Sequence, residues 1–84
     1  MPPLSELPGS TPRRKILIAL KRLGFIIDTS GGNGSHVMAK WPSTNKSVTI
    51  PFEDISKQTL KYIIPQIEAV TLGKIDWEKL KEAL

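Results

Sequence analysis

The chain has 84 residues, a formal net charge of +4 and no cysteine. That length fits one domain with a simple, two-layer core, because so short a chain buries only roughly 60–65% of the surface it exposes when unfolded. The composition excludes a disulfide framework and a thiolate metal site. No apolar run approaches the roughly 20 residues of a membrane span, so no membrane association is expected. The opening MPPLSELPG lacks the apolar centre of a secretory signal, and the expected compartment is the cytoplasm.

The positive charge is local. Residues 1–24 carry Arg13, Arg14, Lys15, Lys21 and Arg22 against Glu6 alone, whereas residues 51–84 carry five lysines against six acids. A patch of this kind suits a polyanion. RNA, DNA or an acidic protein would serve, and so would a merely solvated helix face.

In chain order, residues 1–11 are expected to form an extended N-terminal arm, because Pro2, Pro3 and Pro8 fix φ and remove donors. Leu4 and Leu7 could tack that arm onto a single domain spanning 12–84. Thr11-Pro12 reads as a helix start, with Thr11 as N-cap and Pro12 in the first turn. The helix runs to about Leu23, and Gly24 supplies the left-handed position that closes it. Ile16, Ala19, Leu20 and Leu23 share one face. Arg14 stacks over Lys21 and Lys15 over Arg22 on the far side, around an exposed Ile18.

Phe25 to Ser30, His36 to Trp41 and Ser47 to Ile50 read as three strands. They are separated by the glycine-rich turn Gly31–Ser35 and by the turn Pro42–Lys46. Alternation places His36, Met38 and Lys40 on one face of the second strand, and Val37, Ala39 and Trp41 on the other. Short connections make the three an antiparallel meander. Ser56 is a fair N-cap for a second helix, whose apolar stripe is Leu60, Ile63, Ile64 and Ile67. Pro65 removes the amide that would bond the Lys61 carbonyl, so a kink or break is expected there. Asp76 caps a last short helix from Trp77 to Leu84. Trp41 and Trp77 read as core residues rather than stacking platforms, and Tyr62 falls off the apolar stripe. The sum is an α+β fold with α-β-β-β-α order, both long helices on one face of a three-stranded antiparallel sheet, and a short C-terminal helix. That is the arrangement of a double-stranded RNA-binding domain.

His36 is the only histidine, which excludes metal centres built from His and Cys. Glu53 and Asp54 are adjacent but need not converge on a cation, and no phosphate-cradling loop motif is present. His36 stands where the glycine-rich turn meets a strand. Gly34 there lacks a Cβ and lets a ligand approach the backbone. Imidazole exchanges protons near neutral pH. RNA offers a reaction that needs little more, since its 2′-hydroxyl attacks the adjacent phosphate once deprotonated. DNA lacks that hydroxyl. A polar residue at a strand end, with no chemistry, fits the same spacing.

Taken together, these segments resemble the HicA family of messenger-RNA-cleaving toxins. The stretch Ile18-Ala19-Leu20-Lys21-Arg22-Leu23-Gly24-Phe25 is similar to that family's first helix running into its first strand. Gly34-Ser35-His36 is similar to its G-S-H signature, Val48-Thr49-Ile50-Pro51 to its third strand, and Thr59-Leu60 with Ile63-Ile64 to its second helix. The resemblance covers nearly the whole chain. It implies metal-independent endoribonuclease activity on mRNA with no cofactor, and a HicB-type antitoxin that covers the site. It gives His36 the acid/base role, with Gly34 and Ser35 shaping the approach. Lys40, Arg14, Lys15, Lys21 and Arg22 are the expected phosphate-binding cations. The chain departs from the family in its longer turn before Gly34, in Asn33 and Gln58 where a base and a glycine are common, and in Pro65. A HicA-like RNA-binding module with little or no catalysis, and a protein-docking domain, remain alternatives.

Overall fold

The computed structural model describes residues 7–28, 36–51 and 53–84. The element order is β1 (Ser10–Thr11), α1 (Arg13–Arg22), β2 (Ile26–Asp28), β3 (His36–Trp41), β4 (Lys46–Pro51), β5 (Ile55–Ser56), α2 (Lys57–Val70) and α3 (Trp77–Ala83). Strands β2, β3 and β4 form an antiparallel meander with β3 in the centre, and β1 pairs with β5 in a separate two-stranded ladder. The fold is α+β, as the order of sequence patterns predicts.

Helix α1 starts one residue later than the sequence suggests. Its N-cap is Pro12, in an extended conformation and with no side-chain hydrogen bond. Thr11 does not cap it. Its backbone is drawn into the β1–β5 ladder opposite Ile55, and the residue is buried. Pairing across the chain thus overrides a local capping preference. The helix closes as the glycine predicts. Gly24 has φ +107°, the Gly24 amide donates to the Lys21 carbonyl at 3.1 Å, and the Phe25 amide donates to the Leu20 carbonyl at 2.9 Å. This is a Schellman closure. A Cβ at position 24 would meet the Trp41 ring at 3.4 Å, close to ordinary contact, so it is the positive φ that calls for glycine.

The expected alternation in the sheet is realised. Val37, Ala39, Val48 and Ile50 are buried, and Trp41 is half-buried, its ring centroid 4.9 Å from that of Phe25. Ile16, Ala19 and Leu20 of α1 and Leu60, Ile63, Ile64 and Ile67 of α2 join Ala39, Val48 and Ile50 in one core cluster. Both long helices therefore cover the same sheet face. The core also takes in Leu7, Ile55, Val70, Ile75, Trp77 and Leu80. Leu7 is the member of the predicted arm's Leu4–Leu7 pair that can be placed, and Leu4 lies outside the described residues. The last two residues expected in the first strand, Thr29 and Ser30, lie outside them too.

Helix α2 begins as predicted. Ser56 Oγ accepts from the Thr59 amide at 3.2 Å and donates to Thr59 Oγ1 at 3.0 Å. Of the kink or break expected at Pro65, the break does not occur, for the helix runs unbroken from Lys57 to Val70 with Pro65 on its exposed side. The buried stripe on both sides of Pro65, with Ile63, Ile64 and Ile67 all in the core, holds the helical path despite the missing amide. Thr71 then turns the chain. Its hydroxyl donates to the Ile67 carbonyl at 2.8 Å and accepts from the Ile75 amide at 3.1 Å. Asp76 caps α3 by accepting from the Lys79 amide at 3.0 Å.

Candidate functional site

Residue 36 is the first residue of the central strand and stands in register with Pro51, the last residue of β4. Strand parity groups position 36 with Met38 and Lys40, which are both half-buried. Lys40 is in register with Ile26 on one side and Ser47 on the other, and Met38 with Asp28 and Thr49. These residues line the sheet face that the helices leave uncovered. Ile26 is 54% exposed there, and Asp28, Ser47 and Thr49 are exposed too. Thr49 Oγ1 donates to Met38 Sδ at 3.3 Å. Gly34 and Ser35, the other two residues of the G-S-H signature, lie outside the described residues.

The cationic stripe of α1 lies on a different layer. Its inner face (Ile16, Ala19, Leu20) packs into the core, while Arg14, Lys15, Lys21 and Arg22 are exposed around Ile18, itself 41% exposed. A shallow depression of about 360 Å³ opens on this helix between Arg13, Arg14, Leu17, Ile18 and Lys21. Arg22 is partly committed elsewhere, because its Nη1 donates to the Ala83 carbonyl at 3.1 Å near the end of α3. The fold thus groups Lys40 with position 36 on the open sheet face and sets the four α1 cations on the outside of the helical layer. Grouped with position 36 by the fold, but not singled out from the sequence, are Thr49 and Pro51. The signal for them is the register of β3 and β4, which local patterning does not carry.

Among the described residues no three acids or other ligand groups converge on a cation position, and Glu53 and Asp54 are both exposed. No described helix is long and apolar enough to cross a membrane.

A small α+β domain with an uncovered sheet face and a basic outer helix is the setting in which the comparisons with known proteins fall. The family model described as "HicA toxin of bacterial toxin-antitoxin" matches residues 13–69, from the first residue of α1 to the last turn of α2. The chain belongs to this family: it is a toxin of a toxin–antitoxin system, with a cognate antitoxin as partner. No curated protein and no solved structure matches it.

Proposed function

We propose that this toxin is a metal-independent endoribonuclease that cleaves mRNA through His36. The observation that carries the reading is the family match across a chain whose one histidine opens the central strand, opposite Pro51 and on the same strand parity as Lys40. The α-β-β-β-α order supports a fold like a double-stranded RNA-binding domain. In the reaction, the His36 imidazole takes the proton from the ribose 2′-hydroxyl. The 2′-oxygen attacks phosphorus, the bond from phosphorus to the 5′-oxygen breaks, and a proton passes to the departing 5′-oxygen. The products are a 2′,3′-cyclic phosphate and a free 5′-hydroxyl, and no electrons change hands. Lys40 is the nearest cation by strand alternation and serves the developing charge. Gly34 and Ser35 shape the approach of the backbone, and Arg14, Lys15, Lys21 and Arg22 hold flanking phosphates.

The antitoxin on this reading is HicB-type and covers the catalytic face, and the complex works in the cytoplasm, where mRNA is found. Residues 12–84 act as the one HicA-like domain and 1–11 as its arm. The test compares wild type with His36→Ala in an RNA cleavage assay containing EDTA and in induced growth. Positioned acid/base groups contribute about 10²–10⁴-fold, so the variant should lose cleavage and growth arrest by that order while still folding and binding RNA. Cleavage at the parental rate would refute the assignment of His36. Binding without any product from wild type would favour a non-catalytic RNA-binding module.

A further inference from the structure

Tyr62 has no role in the fold. It is 73% exposed, the most solvent-open aromatic side chain among the described residues, on a helix whose other large apolar groups Leu60, Ile63, Ile64 and Ile67 are buried. An aromatic ring left in water on an otherwise well-sorted amphipathic helix asks for an occupant.

The ring borders a cleft of about 320 Å³ lined by Thr49, Pro51, Thr59, Tyr62, Ile63 and Gln66. That volume is at the low end for small-molecule sites. The cleft lies where the edge strand β4 meets α2, and its chemistry is mixed. Pro51, Ile63 and the Tyr62 ring are apolar, while Thr49, Thr59 and Gln66 put polar groups around them. Thr59 Oγ1 accepts from Ser56 and keeps its own proton to donate. Gln66 Nε2 is turned back to the Tyr62 carbonyl at 3.4 Å, which leaves the amide oxygen as an acceptor. A planar ring with donors and acceptors on its edge fits such a place.

Position in the fold adds the decisive element. Pro51, part of the cleft wall, is the register partner of His36, and such partners have Cα atoms about 4.5–5.5 Å apart. The cleft therefore adjoins the point where the scissile bond lies if His36 performs the chemistry. Resting on that reading, we infer that the cleft is a nucleobase subsite of the single-stranded RNA substrate, with one base next to the cleaved bond stacked on the Tyr62 ring. Single-stranded RNA is commonly held through bases stacked on aromatic side chains. Stacking tolerates every base, and the rim groups of Thr49, Thr59 and Gln66 would confer whatever preference exists.

The test reads binding without turnover. Wild type, Tyr62→Phe and Tyr62→Ala, each also carrying His36→Ala, are titrated with a fluorescent single-stranded oligoribonucleotide and with a set in which one position at a time is abasic. Tyr62→Phe should bind like the parent, and Tyr62→Ala about tenfold more weakly. The parent should lose a similar factor at one abasic position, and Tyr62→Ala should be indifferent to that position. Circular dichroism should be unchanged, given the exposure of the ring. Equal affinity for parent and Tyr62→Ala overturns the inference, as does a loss in Tyr62→Ala that leaves the abasic response unchanged. If Tyr62→Ala instead weakens only the complex with the antitoxin, the cleft is a protein contact and the inference is wrong. RNA binding through Tyr62 without cleavage by the wild-type chain would sink the endonuclease reading alone, and failure to bind RNA at all would sink both.

Discussion

The two faces of this small protein divide its labour differently. The outer face of α1 presents Arg14, Lys15, Lys21 and Arg22 around a partly exposed Ile18 and a shallow depression, on a single helix with no paired strand to fix their register. The open sheet face has fewer charges, but its members are fixed in register: Lys40 between Ile26 and Ser47, Met38 between Asp28 and Thr49, and position 36 against Pro51. Flexible cations on a helix supply affinity and long-range attraction, which carry no positional information. Register supplies position, which is what proton transfer needs. If His36 performs the proposed chemistry, charge density is a poor guide to where the reaction occurs in this fold.

Substitutions on each face distinguish their roles. The largest effect is expected from the inner side of α1. Leu20 is fully buried, and Leu20→Ala should cost about 2–5 kcal/mol of stability, lowering the melting temperature and impairing both faces together. If both faces kept full function in a destabilised Leu20→Ala protein, helix and sheet would be less coupled than the shared core implies. Next comes Lys40→Ala. It should reduce kcat by about 10²-fold or more if Lys40 assists the leaving group, with little change in the salt dependence of RNA binding. An unchanged kcat would remove Lys40 from the reaction. For the outer face, Arg14→Gln combined with Lys21→Gln should flatten the slope of log K against log salt by roughly 1.4, two contacts at about 0.7 each, and leave kcat as it was. A drop in kcat with an unchanged slope would reverse the roles assigned to the two faces. The smallest effect belongs to the Ser56 cap: Ser56→Ala should lose about 1 kcal/mol, visible in chemical denaturation and neutral for catalysis at saturating RNA.

Much of this architecture could be read from residues close together in sequence. The limits of β3 follow from alternation, the caps of α2 and α3 from Ser56 and Asp76, and the end of α1 from Gly24, because each depends on neighbours within a turn or a strand. Two expectations failed for the opposite reason. Thr11 has the chemistry of an N-cap, but Ile55 reaches it from a distant part of the chain and takes its backbone into a ladder. Pro65 has the chemistry of a breaker, but buried isoleucines on both sides keep the helix unbroken. The same division applies to the candidate site. His36 and the α1 cations stand out as residue types, whereas Thr49, Pro51 and the Tyr62 cleft exist only once β4 is paired and α2 is docked. Burial of Ile75 was equally hidden, since it belongs to no periodic run.

The small ladder between β1 and β5 also governs where the polypeptide can be trimmed. The limits of the family match would place a cut before Arg13, where the match begins. That cut would remove Ser10 and Thr11 from their partners Ser56 and Ile55, delete the Lys57 amide's acceptor at Gly9, and uncover the hydrophobic spot sealed by Leu7, which is only 4% exposed. A fragment tailored to the homologous segment should accordingly be soft at the entrance of its second helix. The stretch outside the shared pattern is thus a working part of the folded unit, and any shortened version or fusion joint belongs upstream of Leu7.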